Sequence, residues 1–592
     1  MTKKNNITKF LIWRYKHISD KNMVLALSIL IGFFAGLVSV LLKNSTHYIQ
    51  ILADYTSQLF NKPINYILPI IGLMLVYLLN KYFFDRYPGH AVPTILHAIA
   101  RRNGIIKRVK IYYPLLIAPL TVGFGGSVGL LGPAILSGAS ISSSISTLFH
   151  LDTKTRTLFF GCAATAAIAA VFKSPIAGII FAVEVLSLDL TLASLLPLLL
   201  ASLSGILTSY LFLGNEILFR MNEIEDFEIK TIPFYIILGI GTAFSSIYFT
   251  RVYFYFSEVF SKLKSRFHQL LIGSVAIGIL VYTIPPLYGE GFSFINNLLA
   301  GNDITALGNN PFGIIKDSIW KIIALLIGIT IFKTIAMTIT LSSGGGGGII
   351  IPTLVIGSSL GNIVAKIINQ LGGNFEVSES NFTLVGMAGL LAGVLHAPLT
   401  AIFLIAEISG GYQLFVPLMF TVAISYLITK HFIEHSIYTQ ELAEKGQLIT
   451  HNKDDMLLQL MKLDSVIETN FVSIQPTQTL GQVVHNAVAK SSRNIFPVVE
   501  ENNELIGIVL LDDIRTIMFD SDKYESTQVN MFMKQVPDTV VYEKDNMKSV
   551  MKKFQDTSAW NLPVIKNGMY YGFISKSKLL TAYRRKLINY TR

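Results

Sequence analysis

The chain has one cysteine, Cys162, in 592 residues. An intrachain disulfide is therefore excluded, and so is any metal site built on two thiolates. Charge is also scarce. Only 14% of residues are Asp, Glu, Lys or Arg, while 52% are hydrophobic. Soluble domains usually carry about 25% charged residues. With a mean hydropathy of +0.53, the chain is not an ordinary soluble protein. It has no nucleophile elbow, P-loop or metal cluster, which argues against an enzyme. The net charge of +11 would suggest nucleic acid in a soluble protein. Here it reads instead as basic loops on the cytoplasmic side of a membrane.

What the sequence does have is long apolar runs: Val24 to Leu42, Ile64 to Leu79 and Leu190 to Leu213. About 20 such residues cross a bilayer. Val24 to Leu42 is too long for a signal-peptide core and lacks a cleavage site, so it reads as the first membrane helix. Lys3, Lys4, Lys9, Arg14, Lys16 and Lys21 precede it, and Arg101, Arg102, Lys107, Arg108 and Lys110 form a second basic cluster. Both are expected in the cytoplasm, with the acidic stretch 215–231 outside. The composition changes after Tyr438. The expected organisation is a basic segment at 1–22, a membrane domain at 23–440, a linker at 441–462, and two small α/β units at 463–520 and 528–586. In each unit an x-Pro-Val strand (Asn494 to Val499, Asn561 to Ile565) precedes a Gly-hydrophobic strand (Leu505 to Leu510, Tyr571 to Ile574), and a short helix follows.

The membrane domain repeats itself. Phe172-Lys-Ser-Pro-Ile-Ala-Gly-Ile-Ile-Phe-Ala-Val-Glu184 resembles Leu395-His-Ala-Pro-Leu-Thr-Ala-Ile-Phe-Leu-Ile-Ala-Glu407. Upstream of each lies a Gly-x-x-x-Pro element, Gly129 to Pro133 and Gly348 to Pro352. Glycine- and proline-interrupted segments at matching places in two halves point to a binding site at mid-membrane. The halves are expected at about 23–214 and 232–431.

An anion at that depth needs positive potential without the insertion cost of a full charge, about 2.5–3.5 kcal/mol. Helix N-termini supply it through free N–H groups. Gly89-His-Ala-Val-Pro93, Gly129-Leu-Leu-Gly-Pro133 and the run Ser343 to Pro352, with five consecutive glycines, fit this design. Glycine admits close approach of the backbone, and proline suits a first helical turn.

These elements resemble the CLC family of chloride channels and transporters across about 23–440. Gly89 to Pro93 is similar to that family's G-S-G-I-P element, with His90 in place of serine. Gly126 to Pro133 resembles G-R-E-G-P, and Gly348 to Pro352 resembles G-I-F-A-P. Tyr438 falls where the family has its pore tyrosine, and the tail is similar to paired CBS domains. The resemblance implies a mainly α membrane protein, a bundle of tilted and broken helices in two inverted repeats, followed by the small α/β CBS pair. It implies a homodimer with a separate anion pore in each protomer. The central anion, chloride by default, would be held by His90, the amides of Ile349 and Ile350, and the Tyr438 hydroxyl. Leu130, Leu131 and Gly132 would form the outer site and gate. The location implied is the cell membrane, with N-terminus and tail in the cytoplasm.

Two departures carry the mechanism. The family's gating glutamate is replaced by Leu131, and its internal proton glutamate by Val185. Leucine and valine cannot take a proton, so passive, uncoupled conduction is expected. Glu184 and Glu407 read as helix-packing or backbone-bonding residues. Two other readings stay open. One is a proton-coupled antiporter using other groups such as His90. The other is a non-conducting sensor of anion or nucleotide, plugged by Leu131. No cofactor is required. In the family an adenine nucleotide often sits between the CBS units. Here Leu510-Leu-Asp-Asp513 keeps the ribose-binding Asp513 without its hydroxyl partner, so a structural tail stands equally beside a nucleotide sensor.

Overall fold

The computed structural model describes residues 16–59, 66–84, 91–214, 227–308, 318–371, 376–444 and 461–591, with Arg14, Phe219 and Leu458. The chain forms two compact units, Met1–Leu448 and Ile449–Arg592. His90 and Gly89 lie outside the described residues, as does most of the acidic stretch 215–231.

The first unit is helical. Its first half runs α1 (Asp20–Leu59), α2 (Leu68–Phe83), α3 (Ala91–Arg101), α4 (Val109–Gly123), α5 (Leu131–Leu148), α6 (Thr153–Phe172), α7 (Pro175–Glu184) and α8 (Leu192–Leu213). The second half runs α9 (Ile232–Ser261), α10 (Arg266–Thr283), the short α11 (Phe292–Leu299) and α12 (Asp303–Leu307), α13 (Ile319–Ser342), α14 (Ile350–Gln370), α15 (Glu379–Leu395), α16 (Pro398–Ile408) and α17 (Phe415–Phe432). The five-residue α18 (Gln440–Glu444) closes the unit. Among the described residues, eight helices are long and apolar enough to cross a membrane. The 40-residue α1 contains the Val24 to Leu42 run and extends far past it. At 1.5 Å per residue it is about 60 Å long, twice the hydrocarbon thickness. The run Ile64 to Leu79 does not give a full span, because α2 has only 16 residues.

Local chemistry repeats between the halves. Asp152 caps α6 by accepting from the Lys154 and Thr155 N–H groups, and Ser378 caps α15 by accepting from Asn381. Both helices end on a left-handed residue that is not glycine, Lys173 at φ 60° and His396 at φ 55°. The chain then turns, and proline starts α7 and α16. α6 and α15 are buried on nearly all sides, so they have almost no amphipathic stripe. The outward faces belong to other helices. On α8, Leu199, Leu203, Leu207 and Leu211 recur every fourth residue and are exposed. A row of leucines facing away from the protein suits hydrocarbon, not water. Lys366 on α14 is buried and pairs with Asp303 on α12 at 2.7 Å and Glu379 on α15, so this interior charge is compensated.

The second unit holds β1 (Ile467–Glu468), α19 (Leu480–Val483), β2 (Ile495–Val499), β3 (Leu505–Leu510), α20 (Leu511–Ile514), β4 (Val540–Val541), α21 (Met547–Thr557), β5 (Asn561–Lys566), β6 (Met569–Ser575) and α22 (Lys576–Thr591). β2 and β3 pair antiparallel, with Phe496 opposite Val509. The other sheet has order β1-β6-β5-β4, with β4 and β5 parallel. Each expected strand pair forms. The boundary between the units differs from the simple succession, because β1 lies in the segment read as unit one but pairs with β6 of unit two. Val466 beside it sits in one apolar core with Val540, Met547 and Leu562. A two-residue strand carries too little periodicity to reveal such a crossing.

Candidate anion site

Proline is the third helical residue of α3, α5 and α14, at Pro93, Pro133 and Pro352. The first turn of a helix has no intrahelical acceptors for its N–H groups. Proline removes one donor there and leaves those before it free to point outward.

Two of these helix starts are joined. The N–H of Gly129 donates to the carbonyl of Gly348 at 3.0 Å, and that of Gly348 donates to Gly129 at 2.7 Å. At this point the two repeats therefore meet backbone to backbone. A Cβ at Gly348 would lie 2.9 Å from the Gly132 nitrogen, so only glycine fits.

Beside this bridge lies a cavity of about 20 Å³. Its lining includes Val92 and Pro93 of α3, Gly132 of α5, Gly348 and Ile349 before α14, Tyr253 of α9 and Tyr438. It has room for about one water-sized particle. Ile349 and Tyr438 are buried, as is Tyr253. Tyr438 sits in a turn where the Thr439 and Gln440 N–H groups both donate to the Ser436 carbonyl. The structure thus brings together Ile349, Gly132 and Tyr438. Ile350 is the first residue of α14, one position beyond the lining. Leu130 and Leu131 are buried at the start of α5, next to the lining residue Gly132. A wider cavity of about 600 Å³ uses the same two stretches of chain, with Arg251 and Phe254 of α9 facing Glu434 and His435.

Tyr253 and two further residues escape the sequence reading. Glu290, in the loop before α11, accepts from the Leu130 N–H at 2.8 Å. Lys333, in the middle of the apolar α13, is fully buried and donates to the carbonyls of Leu287 and Gly289. A lysine inside a 24-residue apolar helix was a usable signal, since such residues face protein or cavity. Tyr253 had none, lying in an aromatic-rich helix where tyrosine is ordinary.

The two paired glutamates are spent on backbone. Glu184 at the end of α7 accepts from the Leu399 and Thr400 N–H groups of α16 at 3.0 and 2.8 Å. Glu407 at the end of α16 accepts from Ile176 and Ala177 of α7 at 3.0 and 2.9 Å. Val185 is buried beside Glu184. In the tail, Asp513 Oδ1 pairs with Lys534 at 2.7 Å, while Oδ2 is buried with no partner among the described residues.

A family model for voltage gated chloride channels matches residues 71–430, and one for the CBS domain matches 463–520. Among curated proteins, the chain is 25% identical over 458 residues to "Chloride channel protein CLC-f" of Arabidopsis thaliana, covering 68% of this chain and 57% of that protein. It is 25% identical over 445 residues to "H(+)/Cl(-) exchange transporter ClcA" of Salmonella paratyphi B, covering 71% and 88%. Among solved structures it resembles "a slow cyanobacterial Cl-/H+ antiporter", with TM-score 0.63 at 21% identity over 71% of this chain and 97% of that one. It also resembles "a eukaryotic CLC transporter", with TM-score 0.59 at 16% identity over 95% and 99%.

Proposed function

The chain belongs to the voltage gated chloride channel family, and from that membership we propose that it passes chloride across a membrane through the cavity beside Gly132, Ile349 and Tyr438, without moving protons. The observation that carries the proposal is the convergence of three helix starts and two tyrosines on one small cavity. Amide dipoles there supply positive potential with no full charge to desolvate. The amides of Ile349 and Ile350 and the Tyr438 hydroxyl would hold the anion, and His90 is proposed as a further ligand. The wider cavity beside Arg251 and His435 would be its approach. The N-terminus and tail would lie in the cytoplasm, and two copies would associate, each with its own path.

Uncoupled movement follows from what stands in the path. Leu131 and Val185 occupy the two positions where proton-handling glutamates are expected, and Glu184 is occupied as a helix cap. A relay needs titratable groups at successive stations. Exchange is the second reading, favoured by the name of the ClcA relative. Reconstitution in liposomes separates the two. A chloride gradient should drive anion efflux with no uphill proton movement, and proton accumulation would establish exchange. In the tail, Asp513 is engaged by Lys534, which supports a structural brace over an adenine-nucleotide sensor. Dialysis of the full chain against ATP should show no saturable binding.

A further inference from the structure

The helix α22 is held to the tail by one side. Leu579 is buried in the apolar core with Val540 and Leu562, and Ala582 and Tyr583 pack against the same core. On the outer side Lys576, Leu580 and Arg584 follow at four-residue spacing and so share one face. Leu580 is 66% exposed, and Trp560, just before β5, is 75% exposed. The Trp560 carbonyl accepts from the Lys576 N–H at 2.9 Å, and the Lys576 ammonium lies 5.6 Å from the centre of its indole ring. Trp560 and Leu580 are therefore both neighbours of Lys576. Lys578, Arg584 and Arg585 are exposed on the same helix, without an acidic partner among the described residues. After Asp556 the chain has no acidic side chain at all.

We propose that this face docks on the anionic headgroups of the membrane that the chain itself spans. Tryptophan suits a bilayer interface, with an apolar body and an N–H for water. The leucine adds apolar area, and the lysines and arginines attract acidic phospholipid. Each such cation near an anionic surface is worth about fivefold in partition. Single exposed apolar side chains are ordinary, but a tryptophan and a leucine grouped with unpaired cations mark a surface that meets something both apolar and negative. A symmetric contact with a second copy would set these cations against their own kind. A bilayer surface is joined to the tail by the chain itself, so it is present at high effective concentration. The inference rests on the tail's proposed place in the cytoplasm, where acidic lipids concentrate. It is independent of the anion path.

The test uses the full chain in nanodiscs, with a fluorescent label on Ser577→Cys, an exposed position of the same helix. Cys162 is buried and takes no label. A nitroxide on the lipid headgroups reports when the label reaches the membrane surface. Quenching should be strong in discs of phosphatidylcholine mixed with phosphatidylserine and weak in phosphatidylcholine alone. Raising salt to about 0.5 M shortens the screening length and should release the label. Reversing Lys578→Glu, Arg584→Glu and Arg585→Glu together removes about a hundredfold in partition, so quenching should fall to the phosphatidylcholine level. Trp560→Ala should lower it as well. Quenching that is equal in the two lipids, absent from both, or unchanged in either variant overturns the proposal and leaves the anion path standing. The comparison of lipids on the labelled chain decides the matter even if a variant does not fold.

Discussion

Glu184 and Glu407 cap each other's helices. Each carboxylate closes its own helix and accepts two N–H groups from the first turn of the other's, 215 and 230 positions away in the closest pairings. The exchange is the internal repeat of the sequence made physical. It joins the halves at one point, and the bridge between Gly129 and Gly348 joins them at another.

Glu184→Ala should therefore destabilise the fold. It leaves the Leu399 and Thr400 amides, and the Thr400 hydroxyl that donates to the same carboxylate at 2.7 Å, without their acceptor. An unsatisfied buried donor costs about 1–3 kcal/mol, so a loss of about 3 kcal/mol is expected. Glu184→Gln should recover part of it. Thermal unfolding in detergent measures both. If Glu184 handled protons, Glu184→Gln would instead leave stability alone and change proton flux.

Tyr438→Phe should weaken chloride binding by about tenfold, the worth of one hydrogen bond to a charged group. Tyr253→Phe should weaken it too, because Tyr253 lines the same cavity and the substitution removes its hydroxyl. Isothermal titration with chloride measures each. Equal affinity in wild type and both variants would remove the tyrosines from the site.

Gly348→Ala should break the junction at the cavity. The added methyl meets the Gly132 nitrogen at 2.9 Å, a contact with backbone that has no side chain to give way. Overpacking of this kind costs about 1–3 kcal/mol, and anion efflux should fall with it. Unchanged efflux would show that the two helix starts need not touch.

In the tail, burial opposes ionisation of Asp545, yet hydrogen bonds from Lys553, the Val541 N–H and Ser549 outweigh it and hold the carboxyl below its usual range. A folded-state value below the unfolded one gives stability that is fully present above the unfolded pKa of about 3.9 and is lost as pH falls through the folded value. Asp545→Asn should cost about 1 kcal/mol at neutral pH, kept modest by solvent screening. The two proteins should converge only once the pH has fallen through the folded-state value, which lies below the unfolded one. Hydrogen exchange of the α21 amides in the full chain reads the difference, and a gap that persists in acid would contradict this account.

How much of this was legible in the sequence depended on the range of the signal. The helix starts at Pro133 and Pro352 were readable, because glycine and proline act on their own backbone. The strand pairs of the tail were readable from their alternation and turns. The extent of α1 was not, since its later half carries polar residues such as Asn44, His47 and Gln50 that give no apolar run. β1 crossed to the far sheet on a pairing no local pattern records. Glu290 was passed over because its partner, the Leu130 amide, is 160 positions away. Tyr253 reaches Tyr438's cavity only through tertiary packing, which residue type does not encode.

The account turns on backbone amides and tyrosine hydroxyls holding an anion at the meeting point of α3, α5 and α14. Crystals grown with bromide in place of chloride test this directly through anomalous scattering. A peak within hydrogen-bond reach of the Ile349 or Ile350 nitrogen and the Tyr438 hydroxyl is the predicted result. Bromide bound elsewhere in the membrane unit, with that cavity empty, would contradict it.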